Sequence, residues 1–523
     1  MKRHSRHYAM LLLVFLAHLI LLAGCMQKKD KKEAPHSATQ QELRLNFVAG
    51  AVPSLNPHQL IAHARGKGLG KWLFEGLTRL NLSGEYELAG AESLEISPCK
   101  MHYTFKLKEN RYCDGSLVTA YDYERCWKEA LSPDSNCLKA HLLYYLKNAE
   151  QAKKGKASLN EVGVKALDAA TLVIDLEHPT PHFLGLLSTC LYAPFKEHQG
   201  EILFNGPYKV GKIKEDHYLE LVPNLFFWDK GPAIKKIKVS MIKDAMTALS
   251  LYKEKDLDWI GAPFTHLPAE IVSMEKDKGN FFRGPNVIFP FWVYLNTEAF
   301  PLSSQSIRQA FRHVIDQAEI VTHLFSGHDP LFTPVPLASK DQSVEHDLAK
   351  AKELFEKGLK DLGLTRDTFP IIKLSCCSIR ICKRLSEHLQ QLWQQAFGIK
   401  VELEIYDWNT FYARMFKGDY HIGGFFTSSD YYDPLACLEL LASDNNLPRW
   451  KHKRYHEIIE HLKREGTLKV RLGLLKEALA ILNEETPIIW LINQGQYHAY
   501  PVNLKGVCFD QLGMPDFRYA YFE

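Results

Sequence analysis

Residues 371–405 limit the fold more than any other stretch. Residues 371–375, Ile-Ile-Lys-Leu-Ser, read as a strand. Cys382, Leu385, Leu389 and Trp393 then fall on one face of a helix that stops at Gly398. Residues 401–405, Val-Glu-Leu-Glu-Ile, alternate apolar and charged and read as the next strand. Strand, helix and strand at this spacing make a βαβ unit and put the chain in the α/β class. After a helical stretch at 410–417, residues 423–435 (Gly-Gly-Phe-Phe-Thr-Ser-Ser-Asp-Tyr-Tyr-Asp-Pro-Leu) read as a strand running into a loop. Asp430 and Asp433 sit there among aromatic residues with few basic neighbours. A carboxylate in an aromatic pocket suits a cation such as an ammonium. An Asp ahead of Pro equally suits a helix cap, and residue types alone favour the cap.

A length of 523 residues calls for two or three domains. Hydrophobic residues at 46% and charged residues at 24% describe a soluble globular body. The formal charge is +3, and Lys2, Arg3 and Arg6 account for it. Without them the body is neutral, which argues against a nucleic-acid partner. Those three residues precede an apolar run at 9–23, broken only by His18 and too short for a comfortable membrane span. The run ends in Leu22-Ala23-Gly24-Cys25, which resembles the bacterial lipobox. That reading implies cleavage before Cys25 and a lipid anchor (palmitate among its acyl chains) on its thiol and new amino group. The plainer alternative is an ordinary signal peptide with Cys25 there by chance. Met26 leaves open which membrane holds the anchor. Residues 28–41 are polar and patternless and read as a tether. Ten further cysteines follow, at 99, 113, 126, 137, 190, 376, 377, 382, 437 and 508, and their pairing cannot be read from sequence.

In chain order, residues 43–47 alternate as an opening strand, followed by a Pro-rich turn at 50–58. Tyr103, Phe105 and Leu107 mark a half-buried strand. Thr119 and Asp122 make a capping-box start to a helix with Tyr123, Trp127 and Leu131 on one face. Strands are expected at 172–176, 219–222, 237–241, 488–492 and 507–509, and helices at 245–253 and 347–362, the latter closed by Gly363. Residues 65–72, Arg-Gly-Lys-Gly-Leu-Gly-Lys-Trp, imitate a phosphate loop with the wrong spacing, and Trp72 stands where magnesium would need Ser or Thr. They are assigned to a solvated segment entering a helix. His456, Glu457 and His461 imitate a zinc-peptidase motif, but residues five apart diverge on a regular helix. A charged outer face, with Ile458, Ile459 and Leu462 inward, is the favoured reading. Cys376 and Cys377, near Cys382, read as a buried strand with one exposed thiol. No nucleophile–base–orienter set is evident.

Asp-Tyr-Tyr-Asp-Pro at 430–434 resembles the D-Y-x-D/E-P block of the peptide-binding proteins of ABC importers. The segments 75–97, 103–131, 162–183, 205–210, 221–239, 294–302 and 307–321 resemble successive blocks of the same family, in the same order. The resemblance implies an α/β two-lobed periplasmic-binding-protein fold with a hinge and an extra α+β domain. It divides the chain into a signal (1–24), a tether (25–42), lobe I (43–64, 193–287 and 485–523), the extra domain (65–192) and lobe II (288–484), with crossings near Ile288 and Asn483. It implies a monomeric receptor, lipid-anchored outside the cytoplasm, that delivers oligopeptides to importer permease subunits, with no enzymatic activity and no cofactor. Asp430 would bind the peptide's α-ammonium. Ala51, Val52 and Pro53, with Phe426, Thr427, Ser428 and Ser429, would give backbone and wall contacts, and Tyr252, Trp408 and Tyr412 side-chain pockets. The pattern departs at Gly424 and Cys382, where some members carry a basic residue for the peptide carboxylate, and at Thr427, which replaces an aromatic residue. The alternatives are a receptor for nickel- or haem-type metal complexes and a secreted zinc peptidase.

Cys25→Ser is expected to abolish incorporation of labelled lipid and to release the protein from membranes. Undiminished labelling of that variant would reject the anchor.

Overall fold

The computed structural model describes residues 41–48, 54–61, 64–81, 85–265, 267–279, 281–285, 287, 289–325, 327–333, 346–510 and 512–523. Cys25 and residues 51–53 lie outside them. Strand β1 (Glu42–Asn46) buries Leu43 and Leu45, as its alternation requires. Helix α1 (Ala64–Leu73) packs beneath it through Trp72, whose ring lies 6.4 Å from Phe47, 5.6 Å from Phe264 and 5.0 Å from Phe517. The chain then builds a separate antiparallel sheet from β2 (Ala91–Ile96), β3 (His102–Leu107), β4 (Val164–Asp168) and β5 (Thr171–Asp175), in the order β2-β3-β5-β4. Helix α2 (Ala120–Leu131) covers it with Tyr123 and Trp127. The expected capping box is present, and the backbone N–H of Thr119 donates to Asp122 at 2.8 Å. β6 (Tyr208–Lys214), β7 (Tyr218–Pro223) and β8 (Lys236–Ser240) then return to the first sheet, in the order β1-β8-β7-β6. β1 runs parallel to β8 with Leu43 opposite Ile237 and Leu45 opposite Val239. Helix α3 (Ala245–Lys253) follows.

The third body begins with β9 (Pro290–Leu295), α4 (Gln305–His313), β10 (Asp329–Pro330) and α5 (Leu348–Leu362). Asp347 caps α5, and Gly363 ends it at φ 66°. Next come β11 (Ile372–Cys377), α6 (Arg380–Phe397), β12 (Val401–Tyr406), α7 (Trp408–Lys417) and β13 (Ile422–Phe426). The chain continues through α8 (Leu435–Ala442), α9 (Lys453–Arg464), α10 (Leu468–Glu485) and β14 (Ile488–Asn493). One six-stranded sheet results, in the order β10-β14-β9-β13-β11-β12. β11 and β12 pair in parallel, Ile372 opposite Val401, so the βαβ unit forms as its spacing predicts. Cys382, Leu385, Leu389 and Trp393 are buried under α6, and the Trp393 indole N–H donates to the Phe311 carbonyl at 2.9 Å. Every residue of β9 and β14 is buried because helices cover both faces of the sheet.

Four expectations need correction. Residues 65–72 are not a solvated entry segment but helix α1 itself, and its inner face is buried. The helix packs with the first sheet, so the inserted body begins after it and not at residue 65. β14 pairs with β9 inside the six-stranded sheet, Trp490 opposite Trp292, so the second crossing comes after Asn493 and not near Asn483. Cys376 and Cys377 are both buried, since β11 is covered on both faces.

Glycine is a poor helix former, yet α1 contains three, and close packing explains two of them. A Cβ on Gly66 would lie 1.8 Å from the Leu60 carbonyl oxygen, and one on Gly70 2.7 Å from Cys190 Sγ. Gly70→Ala would gain about 1 kcal/mol of helix propensity. It would lose about 1–3 kcal/mol to overpacking against a buried side chain that cannot swing away. The variant is therefore expected to unfold at lower urea than wild type; an unchanged or raised midpoint would show that α1 does not sit this close.

Candidate functional site

β13 positions the loop that carries Asp430. Its five residues pair antiparallel with β9, Phe426 opposite Phe291 and Gly424 opposite Val293. A Cβ on Gly424 would lie 2.7 Å from the Phe291 ring, so the sheet requires glycine there and leaves no room for a basic side chain. Phe426 stacks on Phe289 at 5.4 Å. The backbone N–H of Thr427 donates to the Pro290 carbonyl at 2.9 Å, and its hydroxyl lies 2.8 Å from that of Tyr294. Ser428 is half-buried, and the Ser429 hydroxyl lies 3.0 Å from Cys437 Sγ. These contacts fix the loop up to Asp430.

Asp430 is 7% exposed. Its Oδ1 accepts from Lys67 Nζ at 3.0 Å and its Oδ2 from Lys139 Nζ at 2.8 Å. Lys67 also donates to the Ser429 carbonyl at 2.8 Å, and His141 Nε2 stands 4.0 Å from Oδ2. Burial works to raise the carboxyl's pKa, but Lys67 and Lys139 outweigh it and hold the group well below the usual carboxylate range. Desolvation and the Lys139 charge push the His141 imidazole down to about 4. The aromatic loop with few basic neighbours therefore has three basic groups folded onto it. Asp433 has the capping role: its side chain accepts the N–H of Leu435 at 2.9 Å and pairs with Arg471.

An open cleft lies beside this group, lined by α1, residues 185–190, Asp430 to Tyr432, Asp510, Leu512, Asp516 and Arg518. Its other charges are paired: Lys71 with Asp510 at 2.9 Å, and Arg518 with Glu75 at 2.8 Å and with Asp516 at 2.9 Å. Trp408 and Tyr412 on α7 stack at 5.4 Å, and both present edges to Phe425. They are 38% and 39% exposed, and the Tyr412 phenol lies within electrostatic reach of Lys139 and Asp430. Tyr252 is not part of this group. It packs on α3 against the small core of Ala248, Leu249, Leu257 and Ile260. Among the described residues no set of three His, Cys, Asp or Glu side chains could hold a metal. Ile458, Ile459 and Leu462 are buried on α9 as expected, while His456, Glu457 and His461 face outward.

Next to Asp430, Tyr431 is wedged into the inserted body. Its ring stacks on His182 at 4.7 Å, with Tyr145 edge-on to the same imidazole at 5.0 Å. The Tyr431 hydroxyl lies 2.8 Å from Glu439 Oε1, and that of Tyr145 3.2 Å from Oε2. The two hydroxyls lie 3.0 Å apart. Three O–O contacts close a ring. Two tyrosines supply only two protons, so a carboxylate leaves one contact without a hydrogen, whereas a neutral Glu439 completes the ring. Burial likewise pushes Glu439 up to about 7.

The residues that sequence reasoning missed are Lys67, Lys139, His141, Tyr145, His182 and Glu439. Only Lys67 had a signal. Gly66 and Gly70 flank it four residues apart, and glycines on one helix face indicate close backbone approach.

The chain matches the model of "Bacterial extracellular solute-binding proteins, family 5 Middle" over residues 85–448. It belongs to the bacterial extracellular solute-binding proteins, family 5. Among relatives of this solute-binding family, the oligopeptide-binding protein OppA of Bacillus subtilis is 33% identical over 482 residues, 87% of this chain and 88% of the relative. The dipeptide-binding protein DppE of the same organism is 29% identical over 481 residues, 86% of each chain. Among solved structures, the substrate-binding domain of an oligopeptide ABC transporter from Bacillus anthracis superposes with a TM-score of 0.81 at 24% identity, covering 93% of this chain and 99% of that one. The murein tripeptide binding protein MppA of Escherichia coli gives 0.80 at 23%, with the same coverage. The two-lobed family-5 fold is thereby shown.

Since folding raises Glu439 from its ordinary 4.5 to about 7, the native state keeps a proton there that the unfolded chain releases. Stability should fall as pH rises through that window, by about 3 kcal/mol at roughly 1.4 kcal/mol per unit. Gln at 439 keeps a donor and an acceptor, so Glu439→Gln should flatten that dependence in urea unfolding between pH 5 and 8. Parallel pH profiles for the two proteins would show that Glu439 is ionised throughout.

Proposed function

We propose that this chain is an extracytoplasmic receptor that collects peptides and hands them to an ABC importer, working as a monomer on a lipid anchor at Cys25. The likeness to the Bacillus subtilis oligopeptide-binding protein along nearly the whole chain carries this reading. The residues grouped around Asp430 support it. Peptides share a main chain, so a receptor for varied sequences needs a polar end, backbone contacts and adaptable walls. The Asp430 group would be the polar end. Residues 426–429, with residues 51–53, would run beside the ligand backbone, and Trp408 and Tyr412 would take side chains. The lobes would close on the ligand about the crossings between them. No covalent step is needed.

The reading is tested by purifying the full chain natively, denaturing it and analysing what is released. Peptides near one per protein are expected by mass spectrometry, with no stoichiometric metal by elemental analysis. Nickel or haem iron at one per chain would install the metal-complex reading instead, and one zinc with peptide hydrolysis would install the peptidase.

A further inference from the structure

We infer that the Asp430 end of the cleft receives a peptide terminus that is acylated or anionic, and that Lys67 and Lys139 replace the ligand ammonium as the partners of Asp430. This rests on the peptide-receptor reading. Each oxygen of the carboxylate already accepts one lysine ammonium, at 3.0 and 2.8 Å. Lys67 is not a free arm. It donates a second bond to the Ser429 carbonyl, and it rides on α1, which glycines press against Leu60 and Cys190. Its side chain is 9% exposed.

The charge balance points the same way. Coulomb energy falls as the inverse of distance, so a third ammonium would meet one attraction and two repulsions at similar range. Among the described residues no nearby acid redresses this sum. Glu75, Asp510 and Asp516 are held by Arg518 and Lys71, and Glu439 is closed into its tyrosine ring. Lys139 gives one of its three N–H donors to Asp430, and its side chain is 24% exposed. It can therefore offer donors to an incoming carboxylate or acyl oxygen, next to the stacked Trp408 and Tyr412. The peptide's N-terminal end would then bind through a neutral or negative group.

The test uses degenerate pentapeptides synthesised with free, acetylated or succinylated N-termini. Each set is offered to the full chain after ligand is stripped by mild denaturation and refolding. Retention is read by ultrafiltration and mass spectrometry, followed by calorimetry on the best sequences. The wild type should bind the acetylated and succinylated forms tighter than the free form by about tenfold or more. Lys139→Met, which leaves one cation for one carboxylate, should shrink that margin to about threefold or less. The wild-type comparison decides the matter even if a lysine variant fails to fold. Tighter binding of the free form, lost on acetylation, would overturn the inference and leave the peptide-receptor reading intact. Retention of none of the three forms by folded wild type would overturn the receptor reading, and the inference with it.

Discussion

A carboxylate removed from water between separately folded parts of a chain must be met by cations, and the joint around Asp430 depends on that requirement. The acid stands on the loop after β13, one lysine on α1 beneath the first sheet, and the other beside the inserted sheet. Three bodies therefore converge on one charge. Removing one partner of such a buried group typically costs about 3–5 kcal/mol, because what remains is uncompensated. The neighbouring Tyr145–Tyr431–Glu439 ring makes the same junction with hydroxyl groups, and the His182 stack fills the space between them. The loop that faces the cleft is thus tied to its surroundings by charge, hydroxyl and ring contacts.

What could be read from sequence was local. The βαβ unit, the Thr119 capping box and the Asp347–Gly363 helix are each written within a few turns of chain, in periodicity and cap residues. The partners of Asp430 are not local: Lys67 lies 363 residues away and Lys139 291. No pattern in a single sequence ties such positions together. Helix α1 misled for the opposite reason, since its glycines argue against a helix locally and tertiary packing overrode them. β14 is a short apolar strand that either sheet could accept, and only the register with β9 decides which.

The family resemblance located the loop and the fold but not the electrostatics. Family-5 receptors share a scaffold, and a scaffold says little about which groups face the ligand. Gly424 illustrates the point. As an aligned letter it is a missing basic residue. In the structure it is a position where the Phe291 ring excludes any side chain.

The close seating of α1 has a consequence for how such receptors diverge. On the proposed reading, selectivity at the end of the cleft would be set from a helix outside the signature loop, by one lysine whose backbone is pressed against Leu60 and Cys190 through Gly66 and Gly70. Receptors that kept the same loop could then exchange ligands through a single helical position. A lineage of receptors sorted by its loop motif would be grouped by ancestry and not by diet.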